Sequence, residues 1–147
     1  MRTIDTIVID APLPRVYAAA AHVEGWPQFL EHYRWVRRIG RDHVEMAAWR
    51  QFGPLRWPTW WVSSMTLDPT TPEVRYRHIR GITAGMDVVW RFTRNGRGVT
   101  VEIVHEWRGP RWPLIGRLAA DAVIGPVFIH HIASRTLAGV KRRAEAA

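Results

Sequence analysis

The chain has 147 residues, 47% of them apolar, and a net charge of +8 carried almost wholly by arginine, with Lys141 the only lysine. That length supports one domain with a sizeable core and not two. It contains no cysteine, which excludes disulfides, thiolate metal sites and cysteine nucleophiles, and no run of about 18 apolar residues that would predict a transmembrane helix.

Residues 3–10 alternate apolar and polar, the period of a half-buried strand. A secretory signal would show a basic start and a continuous apolar block instead, so a cytoplasmic location is expected. Ala11-Pro12-Leu13-Pro14 stops the strand and opens a helix, proline being tolerated in a first turn. That helix runs to about Val23, where Gly25 ends it, and a second short helix is expected over roughly 26–32. From 35 to 109 the chain reads as strand. Segments near 35–41, 43–52, 59–67, 73–79, 86–94 and 99–108 are rich in Val, Ile, Trp, Thr and Tyr. Turn residues separate them, Asn95-Gly96 being the strongest hairpin signal. After Pro110 to Pro113 the period becomes helical. Leu114, Leu118 and Ala122 recur every four residues, as do Ile115, Ala119 and Val123; Gly125-Pro126 interrupts, and Phe128, Ile129, Ile132, Ala133, Thr136 and Val140 continue one stripe.

The order is strand, two short helices, about six strands and a long C-terminal helix, within a single domain spanning 1–147. An antiparallel sheet with one apolar face must cover that face, and the final helix is the natural cover. If the sheet curves, helix and sheet part and a cavity remains between them.

This layout resembles the START-like helix-grip superfamily, an α+β fold in which a curved antiparallel sheet of about seven strands wraps a long C-terminal helix. The likeness extends over essentially the whole chain. Its most specific part is IDAPLPRVYAAAAHVEGWPQFLEHY, similar to the opening of polyketide aromatase/cyclases; WWVSSMTLDP and GMDVVWRF are also similar to their counterparts there. Coenzyme-Q-binding proteins belong to the same superfamily. The resemblance implies a pocket tyrosine, which falls on Tyr33, and a pocket arginine, which falls on Met65. A thioether cannot stabilise an enolate oxygen, so a cyclase would need another arginine, such as Arg50 or Arg77, to reach inward.

Strand alternation predicts the lining. If Met65 faces inward, so do Trp61, Ser63 and Leu67. Met86, Val88, Trp90 and Phe92 share one parity, and Val101, Ile103, His105 and Trp107 another, with charged residues opposite. The expected ligand contacts are Trp26, Tyr33, Trp61, Ser63, Met65 and Met86, with Trp90, Ile103 and His105 from the last strands and Phe128 and Ile132 from the helix. Tyr33 and His105 are the catalytic candidates, a phenol to polarise a carbonyl and an imidazole to move a proton. His130 and His131 are adjacent and lack helical ligand spacing, so no metal is expected, and no cofactor. The expected ligand is a hydrophobic small molecule such as a lipid, quinone or polycyclic polyketide, held by a carrier or sensor. The alternative is an aromatase/cyclase acting on a poly-β-keto chain in the same cavity. The arginines are scattered, so nucleic acid is not an expected partner, whereas peripheral contact with an anionic membrane is. Trp57, Trp60 and Trp112 are candidates for an exposed contact surface.

Overall fold

The structure, a computed structural model, describes residues 1–111, 113–115, 118 and 127–146. Seven strands form one antiparallel sheet: β1 (Arg2–Ile9), β2 (Tyr33–Ile39), β3 (His43–Phe52), β4 (Leu55–Asp68), β5 (Glu73–Gly81), β6 (Asp87–Asn95) and β7 (Gly98–Glu106). Their order is β1-β7-β6-β5-β4-β3-β2. Strands β2 to β7 are therefore a meander, each hairpin pairing with the next, and β1 closes the far edge against β7. Helix α1 (Leu13–Ala21) and a 3-10 helix (Val23–Gln28) follow β1, and helix α2 (His130–Glu145) ends the chain. This is the helix-grip architecture expected from the sequence.

The alternation that predicts the inner face is visible in the burial. Val88, Trp90 and Phe92 of β6, and Val99, Val101 and Ile103 of β7, are buried, while Arg91 and Thr93 between them are exposed. Helix α2 turns Ala133, Thr136, Leu137 and Val140 onto this face, and Ile129 just before it joins them. His130 Nδ1, at the start of α2, is hydrogen-bonded to Asp5 of β1, and Lys141 Nζ donates to the Val8 carbonyl at 2.8 Å. These contacts fix the helix along the β1 side of the sheet. Among the described residues no helix is long and apolar enough to cross a membrane.

Four details differ from the expectation. The second short helix is a 3-10 segment over Val23–Gln28, because Pro27 lacks a backbone donor and Gly25, which donates to the His22 carbonyl at 3.1 Å, is a poor α-helix former. Strand β4 starts at Leu55 rather than 59. Gly53-Pro54 is a two-residue turn, so pairing continues from Phe52 opposite Leu55. Pairing of β4 with β5 stops at Trp61 opposite Gly81. Residues 55–60 are thus a sheet edge, where Pro58 is tolerated. Leu67 keeps the parity of Met65 but is 42% exposed, since it lies at the rim of the sheet, one residue before the end of β4. Leu114 and Ile115 form a turn, not a helix, with the Ile115 N–H donating to the Pro113 carbonyl at 2.9 Å. The helical pattern at Ala119, Ala122 and Val123, its break at Gly125-Pro126, and Trp112 lie outside the described residues.

Candidate active site

A small cavity lies between the sheet and α2. Its walls are Trp26 of the 3-10 helix, Tyr33 of β2, Met46 and Arg50 of β3, Trp61 of β4, Tyr76 and His78 of β5, Met86, Val88, Trp90, Ile103 and His105 of the last hairpin, and Ile129, Ile132, Ala133 and Thr136 of the helical segment. Its free volume is about 60 Å³, room for one or two waters. A wider apolar groove of about 380 Å³ adjoins it, lined by Trp57, Pro58, Thr59 and Trp60 of β4, Gly81, Ile82 and Thr83, and Phe128. Arg50 and Ile129 border both spaces.

The local sequence explains how each side chain gets there. A bulge between Tyr33 and Trp35 lets Tyr33 pair with Ala48 while its phenol is buried against the core. Trp26 is fixed by its indole N–H, which donates to the Ala19 carbonyl at 3.1 Å. It meets Tyr33 edge-on at 5.2 Å and Trp90 at 5.7 Å. Trp61 stacks on His78 at 5.8 Å, within 12° of parallel. Three tryptophans therefore hold the polar groups between them, which fixes orientation by packing.

Arg50 is the unusual member. It is 7% exposed, and among the described residues no carboxylate pairs with it. Its Nη1 donates to the Phe128 carbonyl at 3.3 Å, and its guanidinium lies 5.8 Å from the Trp61 ring. Burial lowers its pKa to about 10, with Tyr33 opposing, so it remains a cation at neutral pH. A buried charge without a counter-ion is costly, and a guanidinium at the edge of a cavity has the chemistry to donate to an anionic or strongly polarised oxygen.

The other polar groups are neutral. Burial pushes the Tyr33 phenol up to about 12, with Arg50 and Thr136 opposing. The Thr136 hydroxyl lies within hydrogen-bonding reach of Tyr33 and 2.9 Å from His32 Nε2. Burial, followed by the charge of Arg50, lowers His78 to about 3, and its Nδ1 is 2.6 Å from the Thr83 hydroxyl. Burial, then His78 and Arg50, lowers His105 to about 3. His105 is therefore a neutral imidazole at neutral pH, not a group titrating there. The Tyr76 hydroxyl and His105 Nδ1 are shut from solvent without a hydrogen-bond partner. Both line the cavity and sit on one row of the sheet, since Tyr76 and His105 each pair with Val88.

Eight of the eleven expected contacts lie on this cavity: Trp26, Tyr33, Trp61, Met86, Trp90, Ile103, His105 and Ile132. Phe128 lines the outer groove. Ser63 and Met65 are buried in the sheet but on neither lining. Arg77 faces outward and pairs with Asp87 at 2.7 Å; the inward arginine is Arg50. Tyr76 was not anticipated, yet it alternates with Arg75 and Arg77, a pattern that puts it inside. A larger concavity, about 1390 Å³, lies elsewhere, between 77–87 and 106–111. Its walls carry the exposed pairs Arg77–Asp87 and Arg2–Glu106 at 2.9 Å together with Arg108 and Arg111, whereas the buried polar groups converge on the smaller cavity.

The fold is shared with solved structures. TTHA0849 from Thermus thermophilus matches with a TM-score of 0.80 at 19% identity, covering 99% of this chain and 98% of that one. The Zhui aromatase/cyclase of Streptomyces sp. R1128 matches with a TM-score of 0.69 at 18% identity, covering 99% and 96%. In sequence, the chain is 32% identical over 111 residues to the actinorhodin polyketide synthase bifunctional cyclase/dehydratase of Streptomyces coelicolor. That match takes in 72% of this chain but 34% of the relative, so the chain spans about a third of the curated protein's length. The family model described as polyketide cyclase/dehydrase and lipid transport matches residues 9–125, and the chain belongs to that family.

Proposed function

We propose that the chain acts on an oxygen-rich, poly-β-keto or polycyclic substrate as a cyclase, with Arg50 as the group that holds the reacting oxygen. The observation that carries this reading is the buried, carboxylate-free guanidinium where an apolar groove meets a cavity lined with neutral donors. A carrier of an inert apolar ligand gains nothing from such a charge. The groove falls within the size range of small-molecule sites. The inner cavity has room only for one end of a ligand, so the substrate's body lies in the groove and one carbonyl reaches Arg50.

In this reading a substrate carbonyl accepts hydrogen bonds from Arg50 and from Tyr33 or Tyr76. An α-proton passes to the neutral His105 or His78 ring. Electron density moves to the carbonyl oxygen, and the enolate is stabilised by the fixed positive charge. The enolate carbon then attacks a second carbonyl of the same chain. That carbonyl's oxygen takes the proton back from the imidazolium, leaving a β-hydroxy ring ready to lose water. The folded geometry of the bound chain supplies orientation, and the apolar wall excludes solvent.

The test is to add the chain to a synthase that releases an unreduced poly-β-ketone and to compare products by mass spectrometry. A new, single ring pattern supports the cyclase. An unchanged mixture of spontaneous products contradicts it and favours a carrier.

A further inference from the structure

The rim of the outer groove carries an unusual surface. No acidic residue occurs between Glu45 and Asp68 or between Glu73 and Asp87. Within those two stretches Leu55 is 70%, Trp57 66% and Ile82 55% exposed, with Trp60 and Ile79 also open to solvent. They sit on the end of the β3–β4 hairpin that β5 leaves unpaired, at the end of β5 and on the segment after it, and Trp57, Trp60 and Ile82 line the groove itself. Several arginines are neutralised, as in Arg37–Glu45, Arg38–Glu24, Arg75–Glu73 and Arg77–Asp87. Three near this tip are not. Arg34 and Arg56 flank the Trp49 ring at 4.7 and 4.5 Å, and neither they nor Arg80 has a carboxylate partner among the described residues.

We infer that this tip docks on an anionic lipid surface and presents the mouth of the groove to it. Charge complementarity selects the anionic partner, because Arg56 and Arg80 stand exposed in acid-free stretches and Arg34 lies exposed on the same Trp49 ring as Arg56. The apolar side chains select the bilayer. They protrude from a hairpin end and a loop, a shape that enters a fluid interface without needing a matching concavity, and tryptophan beside arginine suits the headgroup level. A sparingly soluble ligand would then pass between the bilayer and the groove without crossing water. The inference does not require catalysis at Arg50: a chain that binds vesicles but turns over no polyketide keeps it.

The test is flotation of the full chain with vesicles of phosphatidylcholine alone and of phosphatidylcholine mixed with phosphatidylglycerol. Binding to the mixed vesicles, weakened by salt, is expected. Arg56→Gln and Arg80→Gln should each lower partitioning about fivefold, and Leu55→Ser should lower it further. All three side chains are exposed, and thermal melts will verify that the variants fold. Absence of binding to both vesicle types overturns the inference, as does binding that these variants leave unchanged. A complex with an acidic carrier protein, lost in the same variants while vesicles go unbound, also overturns it and reassigns the tip to a protein partner.

Discussion

Tyr33 and Tyr76 are both buried phenols on one cavity, yet their hydroxyls differ. That of Tyr33 has Thr136 within reach, whereas that of Tyr76 has no partner. Removing an unpaired buried hydroxyl relieves a desolvation cost, while removing a paired one loses about 1 kcal/mol. Tyr76→Phe should therefore leave the melting temperature unchanged or raised, and Tyr33→Phe should lower it. Both should weaken binding of a hydroxylated anthraquinone if the hydroxyls meet ligand oxygens; calorimetric melts and titrations of the two variants will check this. At Arg50 the expectation is larger. Loss of a preorganised charge costs on the order of 10²–10³ in turnover, so Arg50→Met should be nearly inactive in the product assay. Residue identity was unevenly legible in the sequence. The aromatic lining followed from strand period, but Arg50 lies in a strand with Met46, Ala47 and Ala48 all buried, which blurs the alternation. Its shared parity with Val44, Met46 and Ala48 was the signal that locates it.

The elements around the groove depend on one backbone position. Gly81 ends β5 at φ 101°, and a Cβ there would lie 2.5 Å from the Trp60 carbonyl oxygen. Only glycine fits a left-handed turn pressed against the neighbouring strand. Gly81→Ala should cost about 2 kcal/mol or more, read as a shifted urea midpoint, and should disturb Trp60 and Trp61 together. At this scale the strands were readable because β-branched and aromatic runs are separated by turn residues. The length of β4 was not, since Pro58 looks like a breaker until the unpaired sheet edge that tolerates it is known. His78 was similarly ambiguous, because a register shift between Val62 and Ser63 resets the pairing across from it.

For the whole molecule, the curved sheet and α2 enclose three imidazoles, His32, His78 and His105, whose pKa values burial lowers to about 4, 3 and 3. Each stays neutral when folded and takes up a proton when unfolded, so the unfolded chain binds more protons between about pH 3 and the ordinary value of 6.5. Stability should fall as pH drops through that window. Asp5, its carboxyl raised chiefly by burial, works in the opposite direction but is a single group. Urea unfolding at pH 7 and pH 5 should show the lower stability at pH 5, and His105→Asn should flatten the dependence. The fold itself was legible from element order, because a meander with one apolar face leaves the last helix a single place to go.

The claim on which the rest depends is that Arg50 presents its charge to a ligand oxygen, and 2-hydroxyanthraquinone reports it directly through the colour change on ionisation. Burial alone raises the pKa of a bound phenol, whereas a facing guanidinium lowers it. The bound hydroxyl should ionise at lower pH than the free compound in the wild-type chain, and at higher pH in Arg50→Met. Ionisation at the same pH in both proteins, or above that of the free compound in both, would contradict the role assigned to Arg50.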